Sequence, residues 1–435
     1  GLLFTAGPAA AQQDGSCASE DATAAFRAGF SAQSARDSSS ALTHYGRCLE
    51  LEPDCIACAY EIGWTYWTRG SWQSTVSTWE RTLELAPEHE QARTWVVQAR
   101  EHAQRAKSSG STSLRIPMGT SSRPSEAPVQ LKLARRFQNY RAEPASPDDR
   151  HDSDIYSPKS VRFGDGGRKV YVNSLEGLRT VVYDAEALEK LGTIRHRFGE
   201  EQTGLFAGLT TVFDYVFYKK PRSGNVNHFN GKPVESELSH GGRFLWIPYY
   251  RRDFDGGATS PSAVAVVDTR TDTIVRVLPT GPIPKYVEAS PDDRWLAVTH
   301  WGDNTVALID ISSDDPATFS YRPERLVVER VLPQAGLAGE DRDRACGYCL
   351  RGTVFTPDSS TLLVARMGGG GIAGFDVESG AYLGTILGMK PTPRHLVVSP
   401  DGETLFLSSN VSGYVSKIPL ATAVEALRTA GGARV

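Results

Sequence analysis

Four basic residues occupy one equivalent position of a pattern that recurs in the second part of the chain. The pattern is a basic residue, a short apolar run, a turn such as Ser-Pro-Asp and a second apolar run, and its basic positions are Lys159, Lys285, Arg351 and Arg394. If the copies surround an axis, these side chains meet at the mouth of one channel, whose walls of low dielectric focus their positive potential. Ammonium and guanidinium groups form charge-assisted hydrogen bonds with anions. The spacing therefore predicts a site for an anionic or polar ligand.

The same alignment of copies predicts further residues at this mouth. The second apolar run of the five copies ends in residues that can form hydrogen bonds, namely Asn173, Tyr249, His300, Arg366 and Asn410. Arg251 and Trp301 lie close to two of them in the sequence and add a guanidinium group and an aromatic ring. Such mixtures are typical of recognition surfaces and of packed sheet edges. We expect the mouth to bind an anionic small molecule or a glycan.

A structural role for the basic residues is the alternative. The third apolar run of four copies closes with an aspartate, at Asp184, Asp268, Asp310 and Asp376. Ion pairs between these aspartates and the basic residues would cap strand ends and need no ligand. The sequence leaves both interpretations open.

The six cysteines lie in two places. The first part of the chain holds Cys17, Cys48, Cys55 and Cys58, and the second holds Cys346 and Cys349. Covalent haem is excluded, because neither C-x-x-C pair is followed by His. An even cysteine count is typical of disulfide-bonded proteins of oxidising compartments, so we expect disulfides, and a zinc site of four thiolates in the first group is the alternative. For the second pair, a disulfide that pins the charged insertion 336–344 is favoured over a redox-active dithiol, because no βαβ pattern surrounds it.

Motifs of familiar catalytic chemistry are absent from the sequence. The chain has no G-x-S-x-G, no H-E-x-x-H and no G-x-x-x-x-G-K-[ST], and its nine histidines show no helical metal spacing. We therefore predict no catalytic residue, no metal and no cofactor.

Short apolar runs separated by tight turns predict a mainly β fold. Runs such as WLAV, LLVA and LFL are too short for helices. In Pro-Asp-Gly turns, Pro presets φ, Asp bonds its own backbone and Gly adopts positive φ. A three- or four-stranded sheet has apolar faces that it cannot bury alone, so five copies must stack around an axis. This architecture is a β-propeller.

The repeat also resembles a known family. The segment KYVEASPDDRWLAVTHWGDNTVALID (285–310), with VDTRTDTIVRVLPTG before it, is similar to the YVTN-type β-propeller repeat. The members of that family are mostly exported bacterial or archaeal proteins, so the resemblance implies a fold and a compartment. We expect about seven blades, although only five copies are legible. Either residues 128–141 supply a closing outer strand, or the ring is truncated.

Residues 20–106 have a different, helical pattern. Three pairs of residues are separated by 34 positions, which are Gly29 and Gly63, Tyr45 and Trp79, and Pro53 and Pro87. This spacing resembles the tetratricopeptide repeat, with Gly at a close helix crossing and Pro at the end of the unit. A further helix over 90–106 would cap the repeats. Because two repeats and a cap bury little apolar surface, we expect these helices either to dock on the propeller or to form a short adaptor that contacts a protein partner.

The start of the chain and its composition predict an exported protein. GLLFTAGPAAAQQ resembles the tail of a secretory signal with an A-x-A cleavage site. The net charge of −4 argues against nucleic-acid binding, and no run of about 18 apolar residues could span a membrane. We expect a signal remnant and disordered start (1–19), a helical domain (20–106), a linker rich in Ser, Gly and Pro (107–127) and a propeller (128–435).

These observations predict an exported binding or scaffolding protein, periplasmic or extracellular, with a helical adaptor and a ligand-binding propeller mouth. The alternative is a propeller enzyme, such as a lactonase-like hydrolase or a quinone-dependent oxidoreductase. A hydrolase of that kind would hold a metal through carboxylates and Asn at the axis. The aligned mouth positions are basic instead, which counts against this alternative.

Overall fold

The computed structural model describes eleven segments of the chain, which are 17–34, 37–68, 71–109, 116–122, 129–144, 146–207, 211–213, 215–217, 229–332, 341–343 and 345–435. The chain divides into two compact units, residues 1–115 and 116–435. The predicted signal cleavage site lies outside the described residues, as does part of the predicted linker. None of the helices in the described segments is long and apolar enough to cross a membrane.

The first unit contains five described helices, which are α1 (Glu20–Ser34), α2 (Ser38–Leu51), α3 (Ile56–Thr68), α4 (Trp72–Leu85) and α5 (Glu90–Ser109). Asp37 begins α2, because its carboxylate accepts a hydrogen bond from the Ser40 amide. The last helix begins where the sequence predicts and ends slightly later.

The repeated glycines of this unit lie at close helix crossings. A Cβ at Gly29 would lie 2.6 Å from the Tyr45 ring, and one at Gly63 would lie 2.1 Å from the Trp79 ring. Real Cβ atoms do not approach other atoms so closely, so each glycine lets an aromatic ring pack against the helix backbone. The same contact thus occurs twice at the predicted spacing. Membership of the tetratricopeptide family itself stays a prediction.

The second unit begins with a small sheet that belongs to no blade. Strand β1 (Arg136–Gln138) pairs in parallel with β2 (Asp149–His151). Phe137 packs on the Tyr183 ring of the first blade, with ring centroids 4.3 Å apart. The expectation that residues 128–141 supply a closing outer strand was wrong for the described residues 129–141, because Arg136–Gln138 pairs with β2 and Lys132 forms a β-bridge with Ser121.

Five blades follow, each an antiparallel sheet. Blade 1 contains β3 (Pro158–Gly164), β4 (Lys169–Ser174), β5 (Arg179–Asp184) and β6 (Glu189–Arg195). Short strands precede the next blade, namely β7 (Arg197–Phe198), β8 (Thr211–Val212), β9 (Tyr215–Val216) and β10 (Phe229–Pro233). Blade 2 contains β11 (Glu237–Ser239), β12 (Phe244–Arg252), β13 (Ser262–Asp268) and β14 (Thr273–Thr280). Two of the short strands extend its sheet, because β10 pairs with β12 and β7 pairs with β10.

The remaining blades repeat this order. Blade 3 contains β15 (Pro284–Ala289), β16 (Trp295–His300), β17 (Thr305–Asp310), β18 (Ser320–Tyr321) and β19 (Leu326–Val327). Blade 4 contains β20 (Leu350–Phe355), β21 (Thr361–Arg366), β22 (Ile372–Asp376) and β23 (Tyr382–Ile386). Blade 5 contains β24 (Pro393–Val398), β25 (Thr404–Ser409) and β26 (Tyr414–Pro419), and helix α6 (Leu420–Ala430) follows it.

The core lies between stacked blades. Phe244 and Trp246 of blade 2, for example, form one buried cluster with Leu296, Val298 and Ile309 of blade 3. Burial of these apolar faces removes surface from water that a single sheet would expose. The prediction of a mainly β propeller is confirmed.

The predicted number of about seven blades was wrong for the part of the chain that the structure describes, which has one blade for each legible copy. Blade 1 leaves apolar side chains uncovered on its inner strand. Val161 and Phe163 of β3 are 57% and 60% exposed. Val287, which is equivalent to Val161 in the middle of the array, is buried.

One turn mechanism shapes three of the blades. In the turn after each inner strand, an aspartate accepts hydrogen bonds from a Ser or Thr hydroxyl two residues before it and from an amide two residues after it. The aspartates are Asp292, Asp358 and Asp401. The Ser-Pro-Asp and Thr-Pro-Asp signals therefore form these turns through side-chain hydrogen bonds to the local backbone.

Candidate ligand-binding site

The four aligned basic residues lie at irregularities of the inner strands. Pro158 pairs with Ser174 and Ser160 pairs with Asn173, so Lys159 is an extra residue. The pairing shifts in the same way around Lys285, around Arg394 and across the interval that contains Arg351. An extra residue of this kind bends the strand and redirects a side chain. Each blade except the second thus uses a β-bulge at the same place to position a cation.

Inner-strand residues from different blades converge at this end of the propeller. His395 Nε2 of blade 5 lies 3.9 Å from Glu235 Oε1, just before blade 2. The same imidazole ring lies 5.7 Å from the Tyr286 ring of blade 3. These contacts cross between blades that are not neighbours, so the residues surround a common axis. We call the end of the axis formed by Lys159, Lys285, Arg351, Arg394, Glu235 and Asp343 the mouth.

Each acidic residue of the mouth is engaged by a cation. Arg351 Nη2 donates to Glu235 Oε1 at 2.8 Å, and both side chains are almost completely buried. Lys285 Nζ lies 3.2 Å from Asp343 Oδ1. Arg394 Nη1 donates to Asn410 Oδ1 at 2.6 Å. The two carboxylates are thereby occupied by protein cations.

Lys285 lies in an aromatic box. Its ammonium is 3.9 Å from the centroid of the Tyr250 ring and 4.7 Å from that of the Trp301 ring. Cation–π attraction and Asp343 favour the charged amine. Burial opposes it more strongly, and the positive charges of Arg351 and Lys159 add to this effect, so the pKa of Lys285 falls to about 7. The amine therefore titrates near neutral pH.

The mouth carries more positive than negative charge. Burial, Arg351 and Arg394 together lower the pKa of Lys159. Burial and Arg351 lower the pKa of Arg394 to about 10. Burial alone would raise the pKa of Asp343, but Lys285, Tyr250 and Arg251 outweigh it and lower that pKa to about 2. Each cation disfavours the charged form of its neighbours. A bound anion would favour those charged forms again.

Asp343 was not predicted from the sequence. It belongs to the insertion 336–344 between blades 3 and 4, of which the structure describes residues 341–343. The Arg342 amide donates to the Gly257 carbonyl, and the Trp301 indole donates to the Asp343 carbonyl. Asp343 also accepts a hydrogen bond from the Tyr250 hydroxyl. An insertion has no counterpart in the repeat, so alignment of copies could not reveal this residue.

Four further predicted residues lie at or beside the mouth. Arg251 Nη2 is 3.8 Å from Asp343 Oδ2, and Trp301 packs on Lys285. Asn410 Oδ1 accepts the hydrogen bond from Arg394 Nη1. Asn173 donates to the Glu235 carbonyl at 2.9 Å and so fixes the backbone beside that carboxylate.

Three predicted residues are instead buried between strands. The Tyr249 hydroxyl forms a hydrogen bond with His196 Nδ1 at 3.0 Å. The His300 ring forms hydrogen bonds with the Thr280 and Thr305 hydroxyls at 2.7 and 2.8 Å. Arg366 pairs with Glu329 at 3.0 Å. The ends of these second strands face the adjacent blade or the third and fourth strands, so their polar groups bond there and do not reach the mouth.

The alternative of ion pairs with the strand-end aspartates does not describe the mouth. Those aspartates bond their own turns or neighbours. Asp184 accepts from the Glu186 amide, Asp268 pairs with Arg270, Asp310 accepts from Ser312, and Asp376 accepts from Ser379. They lie at the opposite ends of the strands from the basic residues.

A second charged region lines the same axis three residues further along the inner strands. A cavity of about 410 Å³ is bordered by Arg162, Glu237 and Glu288 together with apolar residues. Arg162 Nη2 lies 2.6 Å from Glu237 Oε2. Burial raises the pKa of Glu288 well above its usual value, and the hydrogen-bonded Glu237 raises it further. We call this region the acidic pocket.

The six cysteines form three disulfides in the structure, namely Cys17–Cys55, Cys48–Cys58 and Cys346–Cys349. This agrees with the disulfide prediction. Cys346 and Cys349 are buried, so the second pair is not exposed as a redox-active dithiol would be.

No family model matches the chain, and no curated protein matches it. Solved structures with similar shape include hydrazine synthase from Kuenenia stuttgartiensis, which is 15% identical over 60% of this chain and 71% of that one, with a TM-score of 0.41. A functionally unknown protein from Desulfotomaculum acetoxidans is 13% identical over 60% and 69%, with a TM-score of 0.39. The β-propeller domain of Cps50 (Swd1) from Myceliophteria thermophila is 16% identical over 58% and 62%, with a TM-score of 0.37. These likenesses are too distant to indicate a function, and the resemblance to YVTN-type repeats stays a prediction.

Proposed function

We propose that this protein is a binding protein whose propeller mouth takes an anionic ligand, a carboxylate, a phosphate or an acidic glycan. The single observation that supports this most is the convergence of Lys159, Lys285, Arg351 and Arg394, of which Lys285 and Arg351 are the two that pair with a carboxylate among the described residues of the mouth. A bound anion would relieve the mutual repulsion of the cations and accept charge-assisted hydrogen bonds.

Binding is favoured over the enzymatic alternative for a physical reason. A metal-dependent hydrolase with its metal at the mouth would need free carboxylates there, whereas Glu235 and Asp343 are each engaged by a cation. Glu235 accepts a hydrogen bond from Arg351, Asp343 pairs with Lys285, and the two other residues of the mouth, Lys159 and Arg394, carry only donors. Donors suit recognition of an anion better than coordination of a metal.

We further propose export to the periplasm or beyond and a scaffolding role for the helices. Three disulfides favour an oxidising compartment. The helical unit would contact a protein partner, and the propeller would carry the ligand.

Calorimetric titration of the whole chain with inorganic phosphate, citrate and an acidic oligosaccharide tests the ligand proposal. We expect at least one of them to bind, with an affinity that falls as salt increases. Replacing Lys159→Gln and Arg394→Gln together should weaken binding at least tenfold, since each charge-assisted bond contributes about 1.5–3 kcal/mol.

The matched control replaces two exposed arginines, Arg168→Gln and Arg270→Gln, which pair with turn aspartates and lie away from the mouth. It removes the same charge and should leave binding unchanged. Equal weakening in both double variants, or no binding of any of the three anions by the wild type, would contradict the proposal.

A further inference from the structure

Four cysteines of the helical unit form one compact cluster. Cys17 precedes α1, Cys48 lies near the end of α2, Cys55 directly precedes α3 and Cys58 lies in its first turn. Their four sulfur atoms all lie within 4.8 Å of one another. All four side chains are buried, and Cys17 is the most exposed at 8%.

The distances across the two disulfides have the size of a metal site. Cys17 Sγ lies 3.4 Å from Cys48 Sγ and 3.9 Å from Cys58 Sγ, although neither is its disulfide partner. Four sulfurs at about 2.3 Å from a tetrahedral zinc ion are separated by about 3.8 Å. Two independent disulfides need not approach each other in this way. The arrangement of the four sulfurs is therefore close to a tetrathiolate zinc site.

The position of α3 favours thiolates at this cluster. Cys55 directly precedes the 13-residue helix Ile56–Thr68 and Cys58 lies in its first turn, where backbone amides point outward and the helix dipole is positive. A helix N-terminus lowers the pKa of a thiol and so promotes the deprotonated form that binds metal. The C-x-x-C spacing of this pair also lies within the range of structural zinc sites.

We propose that this cluster is a redox-controlled zinc site, which holds two disulfides when oxidised and one Zn²⁺ ion when reduced. Two molecules of a dithiol reductant, one for each disulfide, would each supply two electrons and two protons and become a disulfide. The resulting four thiols, of Cys17, Cys48, Cys55 and Cys58, would release four protons as they coordinate the ion. Either state ties the segment before α1 to α2 and α3, so the helical unit would remain folded in both.

Zinc titration of the reduced whole chain tests this proposal. The protein is reduced without oxygen, freed of the reductant and titrated with Zn²⁺ in competition with a chromophoric chelator. We expect one Zn²⁺ per chain, none before reduction, and release of the ion on oxidation with diamide. Co²⁺ in place of zinc should give the visible absorption of a tetrahedral tetrathiolate site.

Three variants sharpen the test. Cys17→Ser should lower zinc affinity at least tenfold, and Cys346→Ser with Cys349→Ser should leave it unchanged. Cys55→His cannot form the Cys17–Cys55 disulfide but retains four ligands, so it should still bind one zinc ion and keep its helical circular dichroism. If the reduced wild type binds zinc no better than Cys17→Ser, or if cobalt reports fewer than four thiolates, the proposal is overturned.

Discussion

The mouth and the acidic pocket line the same propeller axis, but the mouth concentrates positive charge, whereas the pocket holds two glutamates beside one arginine. At the mouth, four inner strands present Lys or Arg, and two carboxylates balance part of that charge. Three residues further along, the equivalent positions hold Arg162, Glu237 and Glu288, and two more are valines. Burial at the mouth disfavours a charged amine, whereas burial in the pocket disfavours a charged carboxylate.

The difference shows how a repeated fold distributes chemistry. A bulge that recurs in four blades directs one kind of side chain to one point, so a common residue type there produces a strong local field. The regular pleat below the bulge varies from blade to blade, and charges there balance in pairs. Ligand binding is therefore expected at the mouth, while the pocket mainly carries buried acid groups.

The largest effect should follow from removing the buried cation of the mouth. Arg351→Ala removes the hydrogen-bonded cation from the mostly buried Glu235, and such a loss typically costs about 3–5 kcal/mol of folding free energy. This change is measured by urea unfolding of the whole chain, in which the loss of β structure is the monitored signal.

Arg168→Ala is the matched control, since its pair with Asp165 is exposed on a blade turn. Exposed ion pairs contribute little to stability, and we expect no measurable change. Equal destabilisation by both substitutions would show that Arg351 has no special structural role at the mouth.

The second expected effect is a pH dependence that comes from the mouth. Because the folded-state pKa of Lys285 is about 7, below its ordinary 10.5, the unfolded chain binds more protons between these values. Lys285 therefore makes stability rise between pH 7 and pH 9, by up to about 1.4 kcal/mol per pH unit. Lys285→Met, which keeps the stem and removes the amine, should flatten this rise in urea unfolding at pH 7, 8 and 9. An unchanged slope in the variant would contradict the assignment.

The acidic pocket should contribute the opposite dependence, with a smaller effect. The folded-state pKa of Glu288 lies above its ordinary 4.5, so the folded chain binds more protons just above that value. Stability from this group is fully present below pH 4.5 and is lost as pH rises through its folded pKa. Glu288→Gln should remove this loss of folding stability with rising pH, whereas Glu186→Gln, at an exposed turn, should retain it. If stability falls by the same amount in Glu288→Gln as in the wild type, the loss does not come from Glu288.

The features of the fold and of the mouth that the sequence predicted are those that occur in several copies of the repeat. The propeller and the convergence of Lys159, Lys285, Arg351 and Arg394 follow from one pattern seen several times, because equivalent positions share an environment. The three disulfides were also anticipated as a class, although the pairing within the first four cysteines requires coordinates.

Features that occur once could not be predicted in this way. Asp343 comes from an insertion, and the Glu237 and Glu288 pair depends on two blades that happen to carry acids at one level. The prediction that Tyr249, His300 and Arg366 lie at the mouth was wrong, because a side chain at the end of a strand can face either the axis or the adjacent blade. Hydrogen-bond partners such as His196 decide between these directions, and they are distant in sequence.

The most direct test of the account is the titration of the Lys285 amine itself. Carbon-13 NMR of the whole chain labelled at lysine Cε should show one amine with a pKa of about 7, and its signal should be absent from Lys285→Met. Because binding and protonation are reciprocally linked, a saturating anion at the mouth should raise this pKa by about one unit or more. An ordinary lysine pKa, or a low pKa that no anion from the binding panel shifts, would contradict the claim that the mouth is an anion site.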